Sequence, residues 1–188
     1  MRVAADGVEW TVTSGGQDWR VAWHPPPHPP PGTPHGSAAV CLAADQMVLV
    51  SGDVRRWGLP GGQPEPGEDW TAALHREVWE EACATVTGCR LLGYSRGRCT
   101  HGAEEGLVLV RAHWRAEVIL YPWQPAFEMT HRQLVPAEQA PDAMWIENGF
   151  EPMYWRIFTE AAIPWVGARL GSGAAGRDLG CGPAEGAP

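Results

Sequence analysis

Lysine is missing from this 188-residue chain; all fourteen of its basic residues are arginines. A Walker A loop needs a lysine on its phosphates and a pyridoxal enzyme needs one for its Schiff base, so both classes are excluded. Cysteine is sparse. The five thiols (Cys41, Cys83, Cys89, Cys99, Cys181) are odd in number and contain no C-x-x-C pair, which speaks against a zinc site and a closed disulfide framework. No apolar run reaches the roughly 20 residues that span a bilayer. Met1–Trp10 lacks the charged-then-apolar order of a secretory signal. The expectation is a cytoplasmic protein with no membrane partner. Positive charge is scarce as well: the net charge is −8, whereas a broad nucleic-acid footprint needs a basic surface. No nucleic-acid partner is expected.

What is present suits a folded domain. Hydrophobic residues make up 44% of the chain, and its length allows one proper core with some decoration. Residues 8–13 and 19–23 are β-rich and flank Ser14-Gly15-Gly16-Gln17-Asp18, which reads as a hairpin. The proline-rich stretch from His24 to Gly32 must be extended and reads as a spacer. Residues 1–35 therefore read as hairpin plus spacer, 36–170 as the main domain, and 171–188, mostly Gly, Ala and Pro, as a disordered tail.

Within the main domain, Ala38–Ala43 and Met47–Val50 suggest a second hairpin, and a helix is expected from about Asp69 to Cys83. Strands are expected at Thr85–Ser95 and Leu107–Leu120. In the second of these, Arg111, His113, Arg115 and Glu117 alternate with Ala112, Trp114, Ala116 and Val118, a period of two that predicts one wet face. Pro136–Met144 reads as a short helix and Met153–Leu170 as a longer one, which Pro164 should kink or end. Strands on both sides of a helix, with another helix near the end, give a mixed α/β class.

The chemistry concentrates in residues 61–81. Six acids (Glu65, Glu68, Asp69, Glu77, Glu80, Glu81) against the single Arg76 leave a net −5 of the chain's −8 in this short segment. On a helix, Glu77, Glu80 and Glu81 fall within an arc of about 100°. Like charges at that spacing destabilise an isolated helix by a few tenths of a kcal/mol per pair. A merely solvated face would mix cations among them. Leu74, Val78 and Ala82 form an adjacent stripe that can seat on a sheet, and three carboxylates beside it become favourable when they hold a hard cation. Gly61 and Gly62 let backbone approach closely, so a carbonyl there could complete a coordination shell.

Gly62, five residues, Glu68, seven residues and then Arg76-Glu77-Val78-Trp79-Glu80-Glu81 resemble the Nudix box, with the 23 residues Gly62 to Ala84 covered. The run Trp57-Gly58-Leu59-Pro60-Gly61 is similar to the usual entry into it. The resemblance implies a Nudix α/β/α sandwich with a mixed sheet, here with an N-terminal β-hairpin extension. It implies a Mg2+-dependent hydrolase, with Mn2+ an acceptable substitute, that cleaves a diphosphate bond. The substrate would be a small-molecule nucleotide, either a nucleoside diphosphate derivative or a nucleoside triphosphate. By the same resemblance Glu77, Glu80 and Glu81 would bind the metal with help from the Gly61 carbonyl. Gly62, Glu68 and Arg76 would support them, the last two as an ion pair that orients the carboxylates. An acid outside the box often joins the catalytic set; Glu128 is the candidate, with Glu104 and Glu105 as rivals.

Two features depart from the pattern: the late box glycine is Cys83, and the aliphatic position after it is only Ala84. A left-handed Cys would cost about 1–2 kcal/mol, so a slightly rearranged helix end is expected. Trp57, Tyr94 and Phe127 are candidates for a base pocket. Gly93–Gly106 lacks the residues that mark ADP-ribose, dinucleoside polyphosphate or NADH users, which puts triphosphates ahead by elimination. The alternative is a non-catalytic Nudix module that senses nucleotides or binds a protein, although the intact box glutamates speak against it. The hairpin could also supply a strand to a homodimer.

Overall fold

The computed structural model describes residues 2–163. The expected tail at 171–188, and positions 164–170 of the helix expected over Met153–Leu170, lie outside that range.

Two hairpins open the chain. β1 (Trp10–Ser14) joins β2 (Gln17–His24) through Gly15-Gly16, and β3 (Thr33–Ala43) joins β4 (Gln46–Ser51). A two-residue strand, β5 (Gly61–Gly62), pairs with β3 ahead of α1 (Trp70–Ala82). Next come β6 (Ala84–His101), β7 (Val108–Leu120) and β8 (His131–Pro136). A one-turn 3-10 helix (Ala137–Gln139), α2 (Ala140–Ala143) and α3 (Glu151–Glu160) complete the described chain.

The strands form one sheet in the order β1-β2-β6-β7-β3-β4-β8, with β5 beside β3. β3 and β7 run parallel and the other pairs antiparallel, so the sheet is mixed. Its central strands are covered on both faces, which is why they read as continuous apolar runs. β3 sends Ala39 and Cys41 towards α1, and Val40 and Leu42 towards α2 and α3. β4 divides Val48 and Val50 from Met47 and Leu49 in the same way. Leu74, Val78 and Ala82 are fully buried against the first face, as the stripe on α1 predicts. The result is the expected α/β/α sandwich.

The N-terminal hairpin is built into this sheet, since β2 pairs with β6. Trp23 is fully buried and stacks on His113 of β7, with ring centroids 5.6 Å apart. The wet face expected on β7 is therefore not wet at His113. Trp23 covers it, and burial, aided by the nearby Arg111 charge, holds its pKa at about 3. Alternation correctly separates the two faces of a strand; it does not report what lies on top of them.

Both helix ends differ from expectation. α3 stops at Glu160, four residues before Pro164, because the chain turns at Ala162 with φ 55°, and α-conformation is disfavoured just ahead of a proline. Cys83 does adopt the left-handed conformation, with φ 46° and ψ 52°. Its neighbours support the turn. The Cys83 N–H donates to the Trp79 carbonyl at 3.1 Å. Arg132 of β8 donates to the carbonyls of Ala82 at 2.7 Å, Cys83 at 3.3 Å and Tyr121 at 3.1 Å. A cation at a helix C-terminus is favourable in its own right.

Replacing Cys83 by Gly should relieve about 1–2 kcal/mol of left-handed strain, partly offset by about 0.5–1 kcal/mol of glycine's backbone entropy. A melting temperature up by about 2–4 °C is expected for a chain of this size, and a lower one would contradict this account of the helix end.

Candidate active site

α1 is fastened before its acids are placed. Asp69 caps it, its Oδ1 accepting from the N–H of Thr71 at 2.9 Å and Ala72 at 2.8 Å. Ser37, fully buried on β3, donates to the Trp70 carbonyl at 2.7 Å and accepts from the Trp114 indole at 3.0 Å. With the apolar stripe packed beneath, the acidic edge faces the β5 segment. A side chain on Gly62 would overlap the Glu77 carboxylate, and one on Gly61 would overlap Ser37 and Ala38 of β3. Only glycines permit this approach. The Gly61 N–H donates to Glu81 Oε2 at 2.7 Å.

Arg76 organises the remaining carboxylates. It grips Glu68 in bidentate fashion, Nε to Oε1 at 2.9 Å and Nη2 to Oε2 at 3.0 Å. Its Nη1 donates to Glu77 Oε1 at 2.9 Å and Glu80 Oε2 at 3.0 Å, and Nη2 also reaches the Gln63 carbonyl at 2.9 Å. All five guanidinium donors are engaged, the full capacity of the group. The Glu65 N–H adds a bond to Glu68 Oε2 at 2.8 Å. Arg76 first, and that N–H second, hold the Glu68 carboxyl below the usual range.

Glu77 and Glu81 are 6% and 3% exposed, unusual for ionisable groups. Burial raises the Glu77 pKa against the opposing pull of Arg76. For Glu81 burial dominates over the Gly61 N–H, and its pKa rises to about 7. Glu80 is more open, with its side chain 25% exposed. Among the described residues no three His, Cys, Asp or Glu side chains converge as a ready-made ion cage. The reason is visible: Arg76 holds Glu77 and Glu80, while Glu81 is turned to the Gly61 amide. The chemistry nonetheless fits a hard dication. Buried, mutually repelling carboxylate oxygens beside a glycine backbone are a donor set that a dication would relieve.

Glu128 lies in the exposed segment after β7, and its charge raises the pKa of both Glu77 and Glu81. The segment is tied to the end of β4: the Thr130 N–H donates to the Ser51 carbonyl at 3.1 Å and its hydroxyl to that of Gly52 at 2.8 Å. A cleft of about 350 Å³ opens beside it, lined by Asp53, Arg56, Leu59 and Met129 among others. Glu104 sits elsewhere, bonded to Gln17 at 2.8 Å near the β6–β7 turn, with Glu105 next to it in that turn.

A larger cavity of about 520 Å³ lies on the opposite sheet face, between β2, β6, β7 and the start of α3. Its lining includes Trp19, Trp145, Phe150 and Tyr154 together with Arg111 and Glu147. The expected base-pocket set is not brought together there. Tyr94 is buried against Trp70 on the α1 face, Phe127 is exposed, and Trp57 leans on His131. Ser37, Arg111, Arg132 and Trp145 went unsuspected in the sequence, where no local spacing marks them.

The family model described as the NUDIX domain matches residues 33–154. The fold is similar to a mutant of the Bacillus subtilis pyrophosphohydrolase BsRppH, with TM-score 0.60 and 22% identity, over 81% of this chain and 97% of that one. A Nitrosomonas europaea NUDIX hydrolase gives 0.53 and 23%, over 69% and 89%. MutT from Bacillus halodurans gives 0.50 and 17%, over 65% and 78%. At these identities the likeness is one of fold. No curated protein sequence matches the chain. Among the described residues no helix is long and apolar enough to cross a membrane.

The Glu81 pKa, raised from an ordinary 4.5 to about 7, makes the folded chain bind more protons than the unfolded one between those values. Its contribution to stability therefore falls as pH rises through that window. In EDTA, the melting temperature of wild type should drop relative to Glu81→Gln between pH 5 and pH 8. Parallel curves would show that Glu81 is not the strained group.

Proposed function

Since the chain belongs to the Nudix family, its match spanning residues 33–154, we propose that it is a metal-dependent pyrophosphohydrolase of small nucleotides, acting in the cytoplasm. The observation that carries this reading is the pairing of two buried glutamates, Glu77 and Glu81, with a glycine backbone that no side chain could replace. Burial raises the pKa of both carboxyls, a cost that a bound dication would offset.

Glu77, Glu80, Glu81 and the Gly61 carbonyl would hold Mg2+, or Mn2+ in its place. When bound, the ion neutralises diphosphate charge, stabilises the leaving oxygen and acidifies a coordinated water. It would also let a chain of net charge −8 receive an anionic substrate. Glu68 would keep Arg76 in position, and Arg76 would keep the Glu77 and Glu80 carboxylates aimed. Glu128, outside the helix and free of Arg76, would accept the proton as water attacks phosphorus. The product pair would be a nucleotide and a phosphate-containing leaving group. Triphosphates, which release a monophosphate and pyrophosphate, are the first substrates to try. The N-terminal hairpin, spacer and main domain would act as one catalytic unit, and the edge strand β1 would be the pairing strand of a homodimer.

The test is phosphate release, with added pyrophosphatase to score that product, across nucleotides and nucleotide sugars with and without magnesium. Turnover should require the metal and be abolished by Glu80→Gln. Glu68→Gln should lower kcat/KM by about 10–100-fold, the usual effect of disturbing a ligand's supporting partner. Glu128→Gln should lower kcat while leaving metal affinity near wild type. A nucleotide that raises the melting temperature without being hydrolysed would instead favour a sensing module.

A further inference from the structure

The large cavity contains a charge that the fold does not use. Among the described residues the Arg111 side chain makes no hydrogen bond or ion pair, although it lines a cavity that also holds Glu104 and Glu147. Its guanidinium lies across the β3 backbone at Gly36, where any side chain would overlap it, and a bulge between Pro34 and Gly36 shapes this place. Half-buried and unpaired, this guanidinium keeps its donors available to a ligand in the cavity.

The acceptors are held apart from it. Glu104 is engaged by Gln17 through two bonds of 2.8 Å. Glu147 receives the Ser14 hydroxyl on Oε2 at 2.9 Å, leaving Oε1 open. Arg111 and Glu147 both act on the Tyr154 hydroxyl electrostatically, yet they form no ion pair with each other. A cavity that offers guanidinium donors and a carboxylate acceptor, with Trp19, Trp145 and Tyr154 in its lining, fits a planar heterocycle. The volume of about 520 Å³ falls in the ordinary range for small-molecule sites. A second phosphate is the poorer fit, because the two glutamates outnumber the one cation.

We infer that this cavity recognises a 6-oxopurine base, Arg111 donating to O6 and N7 and Glu147 accepting from N1–H and, in guanine, the 2-amino group. Arg takes that O6/N7 edge in bidentate fashion, and a carboxylate accepts from base N–H groups. Adenine presents a donor at position 6 and would oppose Arg111. Two elements of the cavity wall lead along the chain to segments that flank the acidic site. His35 on its wall is two residues along β3 from Ser37, which pairs with Gly62. The Trp145 ring lies under Arg56 at 4.8 Å, and its backbone N–H donates to the Trp57 carbonyl at 2.9 Å.

The inference rests on the nucleotide reading but is tested without turnover, by quenching of tryptophan fluorescence with GMP, IMP and AMP. Wild type should bind GMP and IMP at least tenfold more tightly than AMP. Arg111→Ala should abolish that preference, and Arg111→Lys should not restore it, since an ammonium lacks the planar fork. Glu147→Gln should shrink the advantage of GMP over IMP. Equal affinities in wild type would overturn the assignment. So would an Arg111→Ala variant that weakens all three ligands alike, which would place Arg111 on the phosphate. Base-selective binding by a chain that hydrolyses nothing would leave the assignment standing and remove only the catalytic reading.

Discussion

The Arg76 guanidinium is the interaction on which the rest of the acidic site depends. Its five donors reach Glu68, Glu77, Glu80 and the Gln63 carbonyl, so it ties helix α1 to the loop that precedes it. Without it, carboxylates one turn apart would repel one another and splay. Glu68 returns the constraint from the loop side and fixes the fork. The planarity of Arg matters, because a lysine could not span these partners, and this chain has none to offer.

Around that centre the fold resists the same repulsion mechanically. One end of α1 is pinned by Asp69 and by the Trp114–Ser37–Trp70 relay, the other by Arg132 on its terminal carbonyls. The apolar stripe between them is buried in the sheet. Burial that seats the helix also desolvates Glu77 and Glu81, so packing and the raised carboxyl pKa values are two results of one placement. Glu128 then approaches from a segment anchored to β4 and adds its charge to a site already rich in anions.

The acidic site was legible in the sequence because its parts are local. Gly61 to Cys83 encodes loop, cap, stripe and carboxylates within one helix and its approach, and the fixed spacing survives folding. The parts that were not legible come from distant strands. Arg132 and Ser37 reach α1 only after the sheet assembles. His113 looks solvent-facing by alternation, and only Trp23, arriving from the N-terminal hairpin, buries it. β5 is two glycines long and has no periodicity to detect. The left-handed Cys83 was expected to be avoided on local energy, but tertiary caps made it tolerable. Aromatic residues were the least informative: Tyr94 and Phe127 point to different places, and the cavity took Trp19, Trp145 and Tyr154 instead.

The central claim is that the carboxylates gathered by Arg76 form a dication site. The most direct measurement is Mn2+ binding followed by electron paramagnetic resonance, on wild type and on Glu77→Gln and Glu81→Gln, without any nucleotide. Wild type should bind the ion at a stoichiometric site that either substitution weakens by at least tenfold. Equal binding by all three proteins would contradict the account and leave the acidic edge of α1 without a function.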